Sequence, residues 1–252
     1  MATKATSETI EIQPVSTGHM NLVVLGKSPL ILNRLSEKAR RELLLPSGRR
    51  RSAAARAASL KHEPLREFAD APYILDDEEA ATYLGIMATS FKGAMRTAAL
   101  DLPGASKSQI GRLVYVEGDY VGIYGIPKLY MSIVRSADMN HTPDVRTRCI
   151  VPEWAAIVSI SYVKPLITDR SVVNLLAAGG VTAGVGDWRV EKGSGSYGRY
   201  TVTDLDSPEV KALIATGGRA AQIEAMENPT AYDGETADLL AWYDIELAGR
   251  TA

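Results

Sequence analysis

The sequence predicts an α+β protein with a ferredoxin-like core of order βαββαβ, carrying a long basic insertion and C-terminal helices. Three observations predict it. Short apolar runs bounded by glycine, proline and other turn residues recur at 19–26, 113–134 and 155–163, which is the signature of strands. Two segments with helical periodicity, 89–100 and 169–178, fall between those runs. A block of positive charge interrupts the pattern after the first run, and a block of negative charge follows the last one.

The elements follow in chain order. Residues 1–18 read as a flexible tail, because MATKATSETIEIQP is rich in Thr and Ser and offers little to bury. HMNLVVLG, residues 19–26, is a buried strand closed by Gly26 and Pro29. The insertion, about 33–75, begins with SEKARRELLL, which looks helical until Pro46 and Gly48. It continues with RRRSAAARAASL, a helix or an arm whose apolar side is made of small residues. The carboxylates of residues 76–79 precede a helical stretch toward Leu84, where acids complement a helix N-terminus. TSFKGAMRTAAL, 89–100, is a helix with Thr89 or Ser90 as its cap and Phe91, Met95 and Ala98 on one face. Residues 113–134 are short strands with turns, and 155–163 is apolar enough to be central. DRSVVNLLAA, 169–178, is a helix stopped by Gly179 and Gly180. The core thus spans 19–205, and 206–252 is an acidic helical region.

Composition bounds the function. The chain has 252 residues, 46% hydrophobic and 23% charged, as in ordinary globular proteins. Cys149 is the one cysteine, so an internal disulfide and a cysteine-rich zinc site are excluded, and His19, His62 and His141 lack metal-ligand spacing. No apolar run is long enough for a membrane span, and the polar start lacks a secretory core; an intracellular protein is expected. The net charge of −2 conceals an asymmetry: residues 34–66 hold ten bases against three acids, and residues 203–252 hold ten acids against three bases. Such blocks are solvated helix faces, or they mark an anionic ligand or head-to-tail self-association.

The most informative stretch is GVGDWRVEKGSGSYGRY, residues 184–200. Within it, Gly193, Gly195 and Gly198 match the spacing of a dinucleotide fingerprint, but a helix precedes the match and a strand-like RYTVT follows it, so that reading is rejected. What remains is a loop with Gly184, Gly186, Gly193, Gly195 and Gly198 beside the cations Arg189, Lys192 and Arg199. Two readings stay open: the glycines let backbone N–H groups approach phosphates, or they let two elements pack closely while Trp188 fills the core. No nucleophile elbow or zinc-protease motif occurs, and Cys149 reads as a small buried residue entering a strand.

The pairing of TSFKGAMR, residues 89–96, with the downstream GVGDWR…GSGSYGRY resembles the RAMP superfamily, in particular the crRNA-binding backbone subunits of CRISPR effector complexes. In that family a small-Ser-x-Lys-Gly-x-x-Arg segment opens the first helix of a modified RRM fold, and a glycine-rich loop follows the second helix. The resemblance covers roughly residues 19–203, about three quarters of the chain. The chain also resembles compact proteins encoded by phages and prophages, a resemblance that implies a CRISPR-like relative rather than a standard effector subunit.

The resemblance implies that Ser90, Lys92 and Arg96 lie at a helix start near a nucleic-acid backbone, with Gly184, Gly186, Gly193, Gly195 and Gly198 in the loop beside it. It also implies a basic loop at 138–148, where Arg146 and Arg148 stand. Lys92 and Arg96, four apart, share a helix face; the alternative for them is ordinary solvated helix charge. Some family members cleave RNA with an acid after the first strand, and no matching Asp occurs here, so the protein is expected to be non-catalytic, with no cofactor and no metal. Tyr115, Tyr120, Tyr124 and Tyr130 alternate along strands as half-buried sheet residues do, and no RNP-type aromatic signature is present.

The expected function is binding of single-stranded nucleic acid, RNA or DNA, along its phosphates by a protein that assembles head to tail into a filament or multimer. The cations Arg49, Arg50 and Arg51 of the insertion belong to the expected surface. Two alternatives accompany it: a phage single-strand annealing or DNA-protecting protein, and an interaction module that mimics a CRISPR backbone subunit. The expected partners are single-stranded nucleic acid, further copies of the chain, and CRISPR-like or phage replication and recombination proteins. A membrane is not among them. The expected location is the cytoplasm of a bacterial host cell.

Overall fold

The computed structural model describes residues 14–34, 44, 62–104, 106–135, 143–192 and 195–251. Most of the insertion, including Arg49, Arg50 and Arg51, lies outside the described residues, as do Gly193 and residues 138–142 of the expected basic loop. The fold is α+β, with a curled antiparallel sheet at its centre.

β1 (Ser16–Gly26) and β9 (Ala155–Lys164) form the central pair, registered Met20 on Ile160, Leu22 on Val158 and Val24 on Ala156. β9 is buried along most of its length, and β1 is buried beside it at Val23 and Val24, where both sheet faces are covered; this explains why LVVL and AAIVSISYV read as apolar runs. β10 (Tyr200–Thr203) joins the outer side of β1. Beyond β9 come β6 (Tyr120–Tyr124), β4 (Leu84–Met87) and β3 (Tyr73–Ile74), while β5 (Val114–Val116) also pairs with β9. A second antiparallel sheet holds β2 (Leu30–Leu32), β8 (Pro143–Val151) and β7 (Lys128–Arg135), in the order β2-β8-β7.

One face of the large sheet is covered by α2 (Ala88–Ala98) and α4 (Asp169–Thr182). Phe91 and Met95 of α2 are fully buried there, and the Phe91 ring meets the Tyr200 ring of β10 at 5.5 Å. Trp154, also fully buried, donates its indole N–H to the Ser28 carbonyl at 2.9 Å and stacks edge-on against Tyr200. The opposite face, with Val23 and Ala155, is covered by Val210, Leu213 and Ile214 of α5 (Pro208–Thr216). α6 (Arg219–Glu227) and α7 (Gly234–Thr251) complete the chain. α6 is fastened by Gln222, whose buried amide accepts from the Tyr83 and Leu84 N–H groups and donates to the carbonyls of Ile123, Gly125 and Gly217. α7 is fastened by Thr236, buried against Met131 of β7.

Several elements differ from the sequence reading. Gly179 and Gly180 do not stop α4; the helix runs through them to Thr182. Their missing side chains serve contact instead. A Cβ on Gly179 would lie 3.0 Å from the Ala94 carbonyl carbon of α2, and one on Gly180 would strike the Tyr200 carbonyl of β10. Asp76 to Glu79 start no helix; they form a turn that leads into β4. Neither Thr89 nor Ser90 caps α2, because β4 runs straight into it: Met87 takes the cap position and the Ala88 N–H donates to the Asp119 carbonyl at 2.9 Å. Residues 143–148, expected in a loop, belong to β8, and Cys149 within that strand is fully buried. Two further helices were not expected: α1 (Pro64–Asp70), and α3 (Lys107–Leu113), which opens with a capping box between Ser106 and Gln109.

The α2–α4 contact gives a direct test. Gly179→Val places two methyl groups where the α2 backbone already stands, and is expected to lower the unfolding free energy by about 2 kcal/mol. The measurement is the urea midpoint at unchanged slope.

Candidate functional site

Where α4 ends, the chain turns at Gly184 and Gly186, both with positive φ, and passes beside the first turns of α2. Between them lies a cleft of about 320 Å³. Thr89, Ser90, Gly93, Arg96 and Thr97 line it from α2, Lys107 from α3, and Val185, Gly186, Arg189 and Glu191 from the loop. The two stretches singled out in the sequence, almost ninety residues apart, thus form opposite walls of one depression.

The cations of this cleft differ in how far they are engaged. Arg189 donates from Nε and Nη2 to Glu191 Oε2 at 3.0 and 2.7 Å, and from Nη1 to the Gly186 carbonyl at 3.2 Å. Glu191 in turn accepts from the Thr97 hydroxyl of α2 at 3.0 Å, which links the loop to the helix across the cleft. Partial burial works against its charge, but the hydrogen bonds from Arg189 and Thr97 outweigh that and hold the carboxyl below its ordinary range. Arg96 lies over α3, where a Cβ on Gly111 would come 3.0 Å from its Nε. That Nε is buried and has no hydrogen-bond partner among the described residues. A buried guanidinium N–H without a partner is uncommon in folded proteins, and it sets Arg96 apart from Arg189, whose Nε is taken by Glu191.

Much of the described loop backbone is engaged within the protein. The N–H groups of Gly184, Val185, Asp187, Glu191, Lys192, Tyr197 and Gly198 donate to carbonyls, and that of Arg199 donates to the Ser28 hydroxyl. The glycines work by closeness. A Cβ on Gly186 would stand 2.6 Å from the Ile31 carbonyl oxygen, and one on Gly198 would collide with that of Val185. Gly195 likewise lies against the Trp188 carbonyl. Close packing accounts for Gly186, Gly195 and Gly198 among the described glycines. Trp188, at φ 50°, is half-buried against Tyr197, with Tyr130 and Tyr232 extending the cluster.

The remaining expected residues disperse. Lys92 points away from the cleft and sets its Nζ over the Tyr115 ring, 4.4 Å from the centroid. Lys192 and Arg199 are exposed on the loop, and Arg146 is exposed on β8. Arg148 is an internal residue: 5% exposed, with Nε 2.9 Å from Asp187 Oδ2 and Nη1 donating to the Ser132 hydroxyl. The Asp187 contact is a close ion pair whose N–H is not aligned on the carboxylate. Burial presses against the Arg148 charge, and Asp187 opposes that pressure. Asp187 also accepts from Asn33, so Arg148 anchors the loop to the second sheet and is not on offer to a ligand. Sequence reasoning missed Lys107, Thr97 and Glu191. Ser106-x-x-Gln109 was the signal for Lys107, since a capping box fixes where α3 begins.

No family model matches the chain, and no curated protein matches it either. No group of three or more metal-ligating side chains occurs among the described residues, and no described helix is long and apolar enough to cross a membrane.

The depressed carboxyl of Glu191 carries a pH signature. An acid whose folded-state pKa is lowered contributes stability above its unfolded pKa and loses it as pH falls through the folded value. Acidification below the ordinary carboxylate range is therefore expected to release Arg189. The Arg189 Nε–H resonance should shift in that window in the native protein, and should show no such titration in Glu191→Gln.

Proposed function

We propose that the protein binds single-stranded nucleic acid by its phosphates, without catalysis, on a ferredoxin-like core of the modified RRM kind. The scaffold reading rests on strand order. Taken in chain order, β1, β6, β9 and β10 stand in the sheet as fourth-first-third-second, with α2 and α4 as the two crossovers on one face. This is the arrangement a split βαβ pair produces. The RAMP resemblance rests on the same order, with its helix-opening motif and its glycine loop as the two walls of the cleft.

One observation carries the function: a polar cleft joins those two motifs, and Arg96, Lys107 and Arg189 surround it with Arg96 Nε unpartnered. Guanidinium and ammonium groups on fixed elements suit phosphate oxygens, which carry no base identity, so little sequence preference is expected. Exposed Arg146, Lys192 and Arg199 extend the positive surface beyond the cleft.

Binding to labelled single-stranded oligonucleotides, followed by anisotropy against salt, tests this reading. Three phosphate contacts give a slope of log K on log salt near −2, from about −0.7 per contact. Arg96→Ala with Lys107→Ala should remove more than half of that slope. Absence of binding at 50 mM salt, or binding without a salt slope, would falsify the proposal.

Assembly is the second part of the reading. Ten acids lie in residues 203–252, and α7 exposes Trp242 and Ile245 among Asp238, Asp244 and Glu246. The basic block of residues 34–66 in a neighbouring copy has the complementary charge, and a head-to-tail contact of this kind propagates. Sedimentation velocity should show multimers at low salt that dissociate near 1 M, where screening shortens to about 3 Å. A salt-independent monomer refutes this part alone.

A further inference from the structure

The aromatic side chains fall into two groups with different consequences. Tyr130, Tyr162 and Tyr200 are 9%, 1% and 1% exposed and belong to the interior. Tyr115 and Tyr120 are 47% and 44% exposed, although they sit on the two strands that flank the start of α2. Large rings at such exposure contribute little to the core, yet both are held in place.

Tyr115 is fixed at both ends of its ring. Its hydroxyl donates to the Arg112 carbonyl at 2.8 Å, and Lys92 of α2 stands over its face. Tyr120 is registered opposite Met87, the residue that leads into α2, and its ring lies 5.2 Å from that of Tyr73 at a tilt of 38°. Tyr73 donates its hydroxyl to Met87 Sδ at 3.2 Å and carries the Arg34 guanidinium 5.5 Å from its centroid. Met87 is itself 41% exposed. Aromatic and apolar surface interleaved with cations therefore surrounds the start of the helix whose other flank lines the cleft.

We infer that Tyr115 and Tyr120 are stacking platforms for the unpaired bases of the strand whose phosphates the cleft holds. This rests on the phosphate-binding reading and adds to it the part of the ligand that the cleft does not touch. A single strand presents phosphates on one side and flat, neutral bases on the other, and exposed rings accept any base by its π-face. Charge favours this division. Glu117 and Asp119 occupy the turn between the two tyrosines, with Glu117 Oε1 directed to within 4.0 Å of His19 Nδ1. Carboxylates there repel phosphates and tolerate bases, whereas Arg96 of α2 and Lys107 of α3 draw the phosphates into the cleft. Duplexes, whose bases are stacked and paired, gain nothing from the two rings.

The test compares an oligo-thymidylate with an abasic strand of equal length and charge. The native protein is expected to bind the thymidylate at least tenfold more tightly, since each stacked base contributes about a factor of ten. Tyr115→Ala with Tyr120→Ala should abolish that preference and leave the salt slope on the abasic strand intact. Tyr115→Phe with Tyr120→Phe should restore it, because the rings return without the hydroxyls. Should the alanine pair fail to fold by circular dichroism, Tyr115→Leu with Tyr120→Leu gives the same reading. Equal affinity of the native protein for both strands overturns the stacking role while the phosphate grip stands. Preference retained in the alanine or leucine pair overturns it too, and binding to neither strand overturns the grip and the stacking together.

Discussion

The structure depends on the closeness of α4 to α2 and β10. Two adjacent glycines in the last turn of α4 let the helix lie directly on the Ala94 backbone on one side and on the Tyr200 carbonyl on the other. Glycine inside a helix is unfavourable by about 1 kcal/mol relative to alanine, so the contact must return at least that much through packing. Phe91, Met95, Leu175, Leu176 and Tyr200 show the return: all are buried in the layer that this closeness seals. The same contact fixes where α4 ends, and hence where the following loop meets the first turns of α2. Moving α4 outward by the width of one methyl group would carry the loop with it and open the cleft along its length.

The loop works as a strut between two sheets. Asp187 ties it to Arg148 and Asn33 beside the small sheet, its N–H joins the Ile31 carbonyl of β2, and Gly198 bonds to Pro29. Arg189 and Glu191, only a few residues on, face the opposite way and reach Thr97 of α2. A segment with five glycines would be expected to wander, yet eight of its described amides donate within the protein. Rigidity of that kind suits a surface whose charged side chains must meet a ligand at fixed spacing.

The sequence was legible where one force dominated. β9 and the 22–25 half of β1 announce themselves because both faces are covered there and their residues are nearly all apolar. β8 did not, because its first half is half-exposed and charged, and Arg148 looked like a surface cation until Asp187 was found beside it. Gly179 and Gly180 have the composition of a helix stop, and only the presence of Ala94 and Tyr200 at contact distance turns them into a packing device. In the site, Ser90, Arg96, Gly186 and Arg189 could be paired through the order of two motifs, whereas Lys92 could not be placed. Its neighbour four residues on lines the cleft, but the pull of the Tyr115 ring is a tertiary effect with no local signature.

The basic insertion leaves and rejoins the fold at nearly the same place. The Arg34 N–H bonds to the Ala71 carbonyl at the end of α1, while His62, just before that helix, sits between Glu67 and Asp144 and accepts from the Tyr243 hydroxyl of α7. The two junctions are separated by little more than the length of α1, about 10 Å for seven residues at 1.5 Å each. A stretch of chain anchored in this way is a cassette: it can lengthen, shorten or be exchanged during descent without disturbing the elements that build the cleft, because loop closure becomes only slowly more unfavourable with length. Changes of length between its two anchors would then leave the cleft in place.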